Sequence, residues 1–183
     1  FGNIINVPNE AWSIQNGIDV ANVGDTVLVS PGTYFENVNV NKNITLASHF
    51  ILSNDTSFTS TTIIDGFNSG PCMNIESSAN VLGFTLTNGN GGEGYTPGAS
   101  CNDVPGGGIR ILQIWGAGSW CINVSDMRII DNFSGLGGGI GIAICQSSSC
   151  LNFTNVLVES NSTGNGPNMN GNGGGIWMKG GSP

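Results

Sequence analysis

The sequence predicts an all-β solenoid, in which one short unit of strand, turn and strand is repeated along the chain. The first observation is that Gly-Gly-Gly-Ile occurs three times, at residues 106–109, 137–140 and 173–176. The second is that a β-forming segment ending in Asn precedes each copy, at Asn88, Asn132 and Asn161. Recurrence of one supersecondary unit roughly every 25 to 45 residues is typical of stacked repeat proteins.

The composition favours the same fold class. Only 9% of the 183 residues are charged, against roughly 25% in an ordinary globular domain, although the mean hydropathy is slightly positive. The polarity of the chain therefore comes from Asn, Ser, Thr and Gly. These residues suit turns and stacked strands, whereas amphipathic helices usually carry Glu and Lys on their solvent-facing side.

The charge excludes two classes of partner. The formal net charge is -8, and the only strong cations are Lys42, Arg110, Arg128 and Lys179. A nucleic-acid backbone or an anionic membrane surface requires a basic patch, so neither is an expected partner. No apolar run approaches the roughly 18 residues of a membrane-spanning helix, and no secretion signal starts at residue 1, so we expect a mature or trimmed N-terminus.

One helix is predicted, near the N-terminus. Ser13 precedes an apolar face made by Ile14, Ile18 and Ala21, which predicts a capped helix over residues 14–22. No other segment has a convincing helical pattern, so this is the only helix that we expect. Strands are expected around it, at residues 4–7, 26–29, 34–40 and 43–46.

Short strands are expected from residue 61 onwards, with three strands to a coil and about five coils. The expected strands are residues 62–65, 72–75, 81–86, 108–112, 122–130, 140–144, 151–158 and 176–178. Apolar residues should stack in files inside the tube, namely Ile63, Ile75, Leu82, Leu86, Ile109, Ile111, Ile140, Ile142, Val156 and Ile176. Glycine at the corners lets the backbone turn where a Cβ would clash.

Two sets of motifs resemble known families. The N-terminal set resembles the cap and first coil of right-handed parallel β-helix proteins of the pectin-lyase-like superfamily, and it comprises Ser13-Ile14-Gln15, Gly24-Asp25-Thr26-Val27-Leu28-Val29, Pro31-Gly32-Thr33-Tyr34, Glu36-Asn37-Val38 and Ile44-Thr45-Leu46. The later Gly-Gly-Gly-Ile and Ile-Ile-Asp-Asn-Phe units resemble repeats of polymorphic outer-membrane-type and related secreted surface proteins. Together the resemblances cover nearly the whole chain.

The resemblance implies one right-handed parallel β-helix domain over residues 1–183. Residues 1–30 would form the cap and first strands, with the helix covering one open end, and residues 31–183 would form the coils. Residues 88–105 and 161–172 would be loops on the flank. The resemblance is specific for the fold and not for activity, because this fold carries lyases, hydrolases, adhesins and structural fibres.

The C-terminal end is expected to be uncapped, because no capping segment follows the strand at 176–178. An uncapped end exposes unpaired backbone groups and an apolar cross-section. Three explanations stay open: the chain continues, another protomer stacks on the end, or the fragment is truncated. Head-to-tail stacking of copies would produce filaments.

Five cysteines occur, at Cys72, Cys101, Cys121, Cys145 and Cys150, without the paired C-x-x-C spacing of a zinc site. A disulfide between Cys145 and Cys150 could close a short polar loop, and one between Cys101 and Cys121 could clamp the segment between them. Cys72 would then be unpaired and buried. Other pairings stay open. The cysteines, together with scarce Lys, favour an oxidising, extracellular setting.

Six Asn-x-Ser/Thr sequons are candidate N-glycosylation sites, at Asn43, Asn54, Asn123, Asn132, Asn152 and Asn161. A chain so rich in Asn, Ser and Thr contains several sequons by chance. Asn132 and Asn161 occupy equivalent turns in successive repeats. Their side chains either form an inward hydrogen-bonded ladder or carry glycans, because one side chain cannot do both.

Enzymatic activity is a less favoured interpretation. Elimination on a uronate polysaccharide needs a basic residue and a cation, and Arg110 and Arg128 are the only strand cations that could serve. No cluster of Asp accompanies them, and an ion pair with Asp126 accounts for Arg128. Hydrolysis needs two carboxylates at a set separation, for which Asp65 and Asp131, at equivalent repeat positions, are candidates.

Trp115 and Trp120 flank a Gly-rich loop and are candidate carbohydrate-binding residues. Packing of both rings against the side of the tube or an interface is the favoured alternative. His49 is expected in a loop or at the rim. No Gly-x-Ser-x-Gly or phosphate-binding loop occurs, and the glycine runs lack the Asp of calcium-binding repeats. No catalytic residue, metal site or cofactor is therefore predicted.

These observations favour a secreted, glycosylated structural or cell-surface β-helix protein. Its expected partners are glycans and other copies of itself stacked end to end, without nucleic-acid binding or membrane insertion. Two alternatives stay open. One is a polysaccharide lyase or glycoside hydrolase with a site beside Arg110, Arg128 and Asp131. The other is a carbohydrate-binding adhesin that uses Trp115 and Trp120.

Overall fold

The computed structural model of the chain describes residues 2–92, 105–113, 120–144, 150–164 and 174–180. Within these ranges the chain is mostly β-structure, and all strand pairings are parallel. The strands are β1 (Ile4–Val7), β2 (Thr26–Val29), β3 (Gly32–Phe35), β4 (Val38–Val40), β5 (Ile44–Ser48), β6 (Thr62–Asp65), β7 (Met73–Ile75), β8 (Ala79–Leu82), β9 (Thr85–Thr87), β10 (Ile109–Gln113), β11 (Cys121–Ile130), β12 (Phe133–Ser134), β13 (Ile140–Ile144), β14 (Cys150–Glu159), β15 (Ser162–Thr163) and β16 (Ile176–Gly180). The prediction of an all-β chain is confirmed.

The strands form three parallel runs, and successive members of a run come from successive repeats. The first run is β1, β2, β5, β8, β11 and β14. The second is β3, β6, β9 and then the C-terminal halves of β11 and β14. The third is β4, β7, β10, β13 and β16. A short pair, β12 and β15, adds to them.

Two of the predicted strands are each divided in the structure. Residues 34–40 are divided between β3 and β4, and residues 81–86 between β8 and β9. The second division falls at Gly83, whose φ is +83° and where a Cβ would lie only 2.8 Å from the Cβ of Phe50. A left-handed glycine in a crowded position marks a corner of the backbone. The longer β11 and β14 turn a similar corner at Asp126 and Asn155, with φ of 54° and 52°.

Equivalent buried side chains stack on one another, so that the three runs enclose one hydrophobic cluster. In the third run, Val38, Met73, Ile109 and Ile140 are opposite one another in register. All four are at most 1% exposed. Burial of such a side chain contributes about 1.5 to 3 kcal/mol, so these files are a major source of stability.

The first run and second run show the same stacking, although two of the residues expected inside face outward. Val27, Leu46, Val81 and Val124 form a buried file in the first run. Ile64, Leu86 and Ile129 form one in the second. Ile63 and Leu82 are only half-buried, because each lies one residue away from the buried position of its strand. Side chains alternate between the two faces of a strand. An error of one residue in the predicted register therefore exchanges the buried and the outward-facing positions.

Helix α1 (Ile14–Val20) lies at the predicted place and covers the first repeat. Its N-cap is Ser13, whose hydroxyl oxygen accepts from the backbone N–H of Asn16 at 3.0 Å. Ile14 and Ile18 are fully buried. The helix ends at Val20 rather than at residue 22, because Ala21 has extended backbone angles.

The expectation of a single helix is wrong. Two short helices, α2 (Phe50–Ser53) and α3 (Ser57–Thr61), lie between β5 and β6. Asn54 ends α2 in the left-handed conformation, and Asp55 accepts from the backbone N–H of Ser57 at 2.9 Å. One-turn helices of this kind are set by local turn chemistry, and they are too short to show a helical period.

Of the three cysteines that the structure describes, Cys121 and Cys150 do not follow the pairing suggested from the sequence, which had left other pairings open. Cys121 is bonded to Cys150, with a Cα–Cα distance of 4.6 Å. The two residues are in-register partners on β11 and β14, one repeat apart. The pairing of neighbouring parallel strands brings these two cysteines together although they are 29 residues apart in the sequence. The suggested pairing had instead joined cysteines that are closer in the sequence. Cys101 and Cys145 lie outside the described residues. Cys72 is unpaired and buried, as predicted.

Polar side chains hold both ends of α1. The Glu36 carboxylate accepts from the backbone N–H groups of Ile14 and Gln15, each at 2.9 Å. At the other end, the Lys42 ammonium donates to the backbone oxygens of Ile18, Asp19 and Ala21 at 2.7 to 3.0 Å. A carboxylate at the N-terminus and a cation at the C-terminus satisfy backbone groups that lack a partner within the helix.

We expect Glu36→Ala to lower the free energy of unfolding by about 2 kcal/mol, because two backbone donors lose a charged acceptor. Urea denaturation followed by circular dichroism would measure the change. Glu159→Ala, which removes an exposed carboxylate from β14, is the control and should change stability little. Equal effects of the two substitutions would contradict the role assigned to Glu36.

Candidate assembly interface

The two strand arginines that the sequence singled out do not share a site. Arg110 is in β10 of the third run, where its Nε donates to Asn74 Oδ1 at 2.8 Å. Arg128 is in the second-run half of β11, beside a small cleft of about 150 Å³ that Thr56 and Thr59 also line. The two arginines therefore lie in different runs of strands, β10 in the third and β11 in the second.

The expected ion pair between Asp126 and Arg128 is not formed. Asp126 is at the left-handed corner of β11, and its carboxylate accepts from Asn155 Nδ2 at 2.7 Å. The reason is geometric, since residues two apart share a strand face only where the strand is regular. The corner turns the Asp126 side chain towards the next repeat instead.

Asp65 and Asp131 are not equivalent, contrary to the sequence prediction. Asp65 is opposite Thr87 in register, whereas Asp131 lies one residue beyond the corresponding end of β11, with φ of 56°. The Asp65 carboxylate accepts from Asn88 Nδ2 at 2.9 Å and from the backbone N–H of Phe67 at 2.8 Å. Both contacts suit a turn-stabilising Asp rather than a catalytic acid.

Two other reactive side chains in the described ranges, those of His49 and Cys72, are packed against neighbouring residues. His49 immediately precedes α2, and its ring makes an edge contact with Phe58 at 5.6 Å between centroids. Burial raises the pKa of the Cys72 thiol to about 12, so that the thiol stays neutral at physiological pH. Among the described residues, no group of three or more His, Cys, Asp or Glu is arranged to hold a metal ion.

Trp120 is the candidate sugar-binding tryptophan that lies in the described part of the chain. Trp120 is half-buried and packs against the hydrophobic cluster just before β11. Packing of this kind was the favoured alternative, and it leaves only part of the indole face for a ligand. Trp115 lies outside the described residues.

Two of the candidate glycosylation sites form a buried ladder. Asn132 is 1% exposed, and its Nδ2 donates to the backbone oxygens of Leu86 and Ile130 and to Asn161 Oδ1 at 2.9 to 3.1 Å. Its Oδ1 accepts from the backbone N–H of Gly89 at 2.8 Å. Asn161 repeats the arrangement one unit later, donating to the Ile129 oxygen at 2.8 Å. The ladder is therefore the alternative that the side chains adopt.

The ladder also accounts for the repeated glycines. A Cβ on Gly139 would lie 3.0 Å from Asn161 Nδ2 and 2.7 Å from the backbone oxygen of Gly175. The backbone N–H of Gly139 donates to the backbone oxygens of Gly174 at 3.0 Å and Gly175 at 3.1 Å, both in the next repeat. The Gly-rich corners of successive repeats thus pack on one another directly beside the Asn ladder, where a side chain would not fit.

A second Asn ladder runs along the outer face of the first run. Asn152 Nδ2 donates to Asn123 Oδ1 at 2.8 Å, and Asn123 Nδ2 donates to Asn80 Oδ1 at 2.8 Å. Asn80 Nδ2 lies 3.4 Å from Thr45 Oγ1. The sequence analysis missed this ladder as a set. Its signal was an Asn between two apolar residues in each of three successive strands of the first run, β8, β11 and β14.

The remaining sequons, at Asn43 and Asn54, have exposed side chains. Neither side chain makes a hydrogen bond to another described residue. Asn43 lies between α1 and β5, and Asn54 is the left-handed residue that ends α2. These two amides are therefore exposed and, unlike that of Asn152, make no hydrogen bond to another described residue.

The N-terminal end of the stack is closed by side chains as well as by α1. The Asn39 backbone N–H on edge strand β4 donates to Gln15 Oε1 at 2.7 Å, and Gln15 Nε2 lies 3.4 Å from the Asn39 oxygen. On edge strand β1, the Asn6 N–H donates to Glu10 Oε2 at 2.8 Å, and the Asn6 oxygen accepts from the Glu10 N–H at 2.7 Å. Sequence reasoning missed both roles, since it did not single out Glu10 and used Gln15 only as part of the motif of the cap.

The C-terminal end is open among the described residues. Ile176 and Met178 on β16 continue the buried files of the third run, yet they are 54% and 61% exposed. A cleft of about 480 Å³ lies between β14 and β16 and is lined mainly by apolar side chains, including Val156 and Val158. This apolar edge, formed by β14 and β16, is the candidate interface. No helix in the described ranges has the length and hydropathy of a membrane-spanning segment.

We expect the inner ladder to be much more important for stability than the outer one. Asn132→Ala should lower the free energy of unfolding by about 3 kcal/mol, because it leaves the buried Gly89 N–H without its acceptor and removes the side-chain bonds to the Leu86 and Ile130 oxygens. The matched control Asn152→Ala, on the exposed ladder, should cost less than about 1 kcal/mol. Urea denaturation would compare them, and a smaller effect at Asn132 would contradict the assignment.

Comparison of the chain with protein-family models, with curated proteins and with solved structures gave no match. The function is therefore inferred from the residues and geometry of the chain itself.

Proposed function

We propose that the chain is a right-handed parallel β-helix that serves as an extracellular structural or cell-surface protein. The observation that carries the proposal is the set of three parallel runs in which equivalent residues of successive repeats are opposite one another. Parallel strands joined by crossover connections are right-handed in nearly all proteins. The chain contributes one strand to each of the three runs in turn and then adds the next strand to each run. A backbone that follows this path forms a coil.

The environment of the cysteines and the outer face supports an extracellular location. The disulfide between Cys121 and Cys150 clamps two neighbouring repeats, and disulfides persist in oxidising compartments. The outer face of the first run presents amides and hydroxyls, such as those of Thr45, Asn80 and Asn123, rather than charges. Such a face suits a structural wall better than the charged groove of a polysaccharide-cleaving enzyme.

Glycosylation is proposed at Asn43 and Asn54. Their side chains are exposed and make no hydrogen bond to other described residues. Asn132 is an unsuitable site, because its amide nitrogen is buried and donates to three acceptors. The fold thus separates sequons that could carry a glycan from sequons whose side chains are structural.

Head-to-tail stacking of copies, which the sequence predicted, remains a prediction. Such stacking would use the apolar edge of β14 and β16, which no described residue covers. The N-terminal edge works against a copy as the partner, because Glu10 and Gln15 already occupy backbone groups of its edge strands. No contact in the described residues favours the lyase, hydrolase or adhesin alternatives, and these also remain predictions.

Protein secreted from a eukaryotic culture would test the proposal. After enzymatic glycan release in heavy-oxygen water, we expect labelled Asp at positions 43 and 54 and none at position 132. We also expect no release of reducing or unsaturated ends from uronate polymers. Release of such ends by the wild type, lost in Arg128→Ala and kept in the control Lys179→Ala, would contradict the structural role and favour the enzymatic one.

A further inference from the structure

The two sequons proposed to carry glycans, at Asn43 and Asn54, each lie beside a pair of exposed apolar side chains. The first pair is Val20 and Val23, which are 57% and 72% exposed, and the second is Ile51 and Leu52, which are 40% and 66% exposed. Single exposed apolar residues are ordinary, whereas grouped ones commonly mark a surface that binds something. Because such a pair accompanies both sequons, the same kind of occupant is expected at both.

Hydrogen bonds hold the first pair next to Asn43. The Asn43 backbone oxygen accepts from the Gly24 N–H at 2.8 Å, and Val23 immediately precedes Gly24. The Lys42 ammonium donates to backbone oxygens on both sides of Val20, at 2.7 and 3.0 Å. The chain at Asn43 is therefore anchored to the segment that carries both valines, and a group attached to the Asn43 amide begins beside them.

The second pair lies in the same turn as its sequon. Phe50 is the buried residue of α2, whereas Ile51 and Leu52 are exposed. Asn54 ends the turn, and its backbone N–H donates to the Phe50 oxygen at 2.8 Å. Residues three apart are neighbours on a helical surface, so Asn54 lies next to Ile51, with Leu52 adjoining.

We propose that the first sugar of an N-linked glycan on Asn43 packs on Val20 and Val23, and that the first sugar on Asn54 packs on the apolar pair of α2. This inference rests on the proposed glycosylation and assigns each glycan a surface. The ring C–H groups of a pyranose such as N-acetylglucosamine form an apolar face, and covering the valines with it removes apolar area from water. The covalent link holds the sugar at a high effective concentration beside the pair.

Crossed substitutions in protein secreted from a eukaryotic culture would test the cover on Asn43, once peptide masses have established the occupancy of each sequon. Val23→Ser should lower the melting temperature of the glycosylated protein by roughly 2 to 4 °C, because the sugar loses an apolar contact. In the Asn43→Gln background, which lacks this glycan, the same substitution should change the melting temperature by less than about 1 °C.

The second sequon offers a matched set. Leu52→Ser should lower the melting temperature only while Asn54 carries its glycan. Thr56→Ala removes that sequon and keeps the left-handed Asn54, and the Thr56 side chain makes no capping hydrogen bond to a described residue. Neither serine substitution should respond to loss of the other sequon.

Two further measurements separate a local cover from a general effect of glycans. Phe35→Ser, which removes a 66% exposed side chain from β3, should have the same effect in every background. An endoglycosidase that trims each glycan to its first sugar should leave the effect of Val23→Ser unchanged. Circular dichroism would confirm that all variants fold.

Effects of Val23→Ser and Leu52→Ser that do not depend on the adjacent glycan would overturn the proposal, and so would loss of the dependence after trimming. With both sequons occupied, such a result would leave the proposed glycosylation intact. Unmodified Asn43 and Asn54 would instead contradict the proposed glycosylation itself, and this inference with it.

Discussion

The structure depends on one constraint, which is that each residue packs against its own equivalent in the neighbouring repeats. Apolar residues satisfy it by forming files such as Val38, Met73, Ile109 and Ile140. Amides satisfy it because Asn carries both a donor and an acceptor and can pair with another Asn indefinitely. Charged residues do not, since like charges would stack, and this explains why the chain contains so few of them.

Under the same constraint, the first and last repeats each lack a neighbour on one side, and the two ends differ in how that side is covered. At the N-terminal end, α1 covers the apolar files, and Gln15 and Glu10 satisfy edge-strand backbone groups that would otherwise face solvent or another chain. At the other end, Ile176 and Met178 continue the files without a described residue over them. The outer Asn ladder adds a chemical difference to this asymmetry, because its side-chain nitrogens donate to the preceding repeat and its side-chain oxygens accept from the following one.

The all-β class and the parallel pairing of the strands could be predicted from the sequence, because the evidence for them is periodic. Repeated Gly-Gly-Gly-Ile units and alternating apolar residues identify parallel stacking, and Ser13 identifies the start of the capping helix. Details that depend on register could not be predicted. Ile63 was placed inside although Ile64 is the buried residue, and the bond between Cys121 and Cys150 joins cysteines that only the stacking brings together. The end-capping role of Glu10 has no sequence motif, and the cap motif that contains Gln15 does not reveal its hydrogen bond with Asn39.

The most direct test of in-register stacking is disulfide trapping between adjacent repeats. Asn80→Cys with Asn123→Cys places two thiols on in-register partners of neighbouring strands, about 4.8 Å apart, which is within the range of a disulfide. The account predicts rapid cross-linking of this pair under mild oxidation. It predicts slow cross-linking for Asn80→Cys with Ser125→Cys, which is displaced by two residues. Preferential cross-linking of the displaced pair, or none in either, would contradict it.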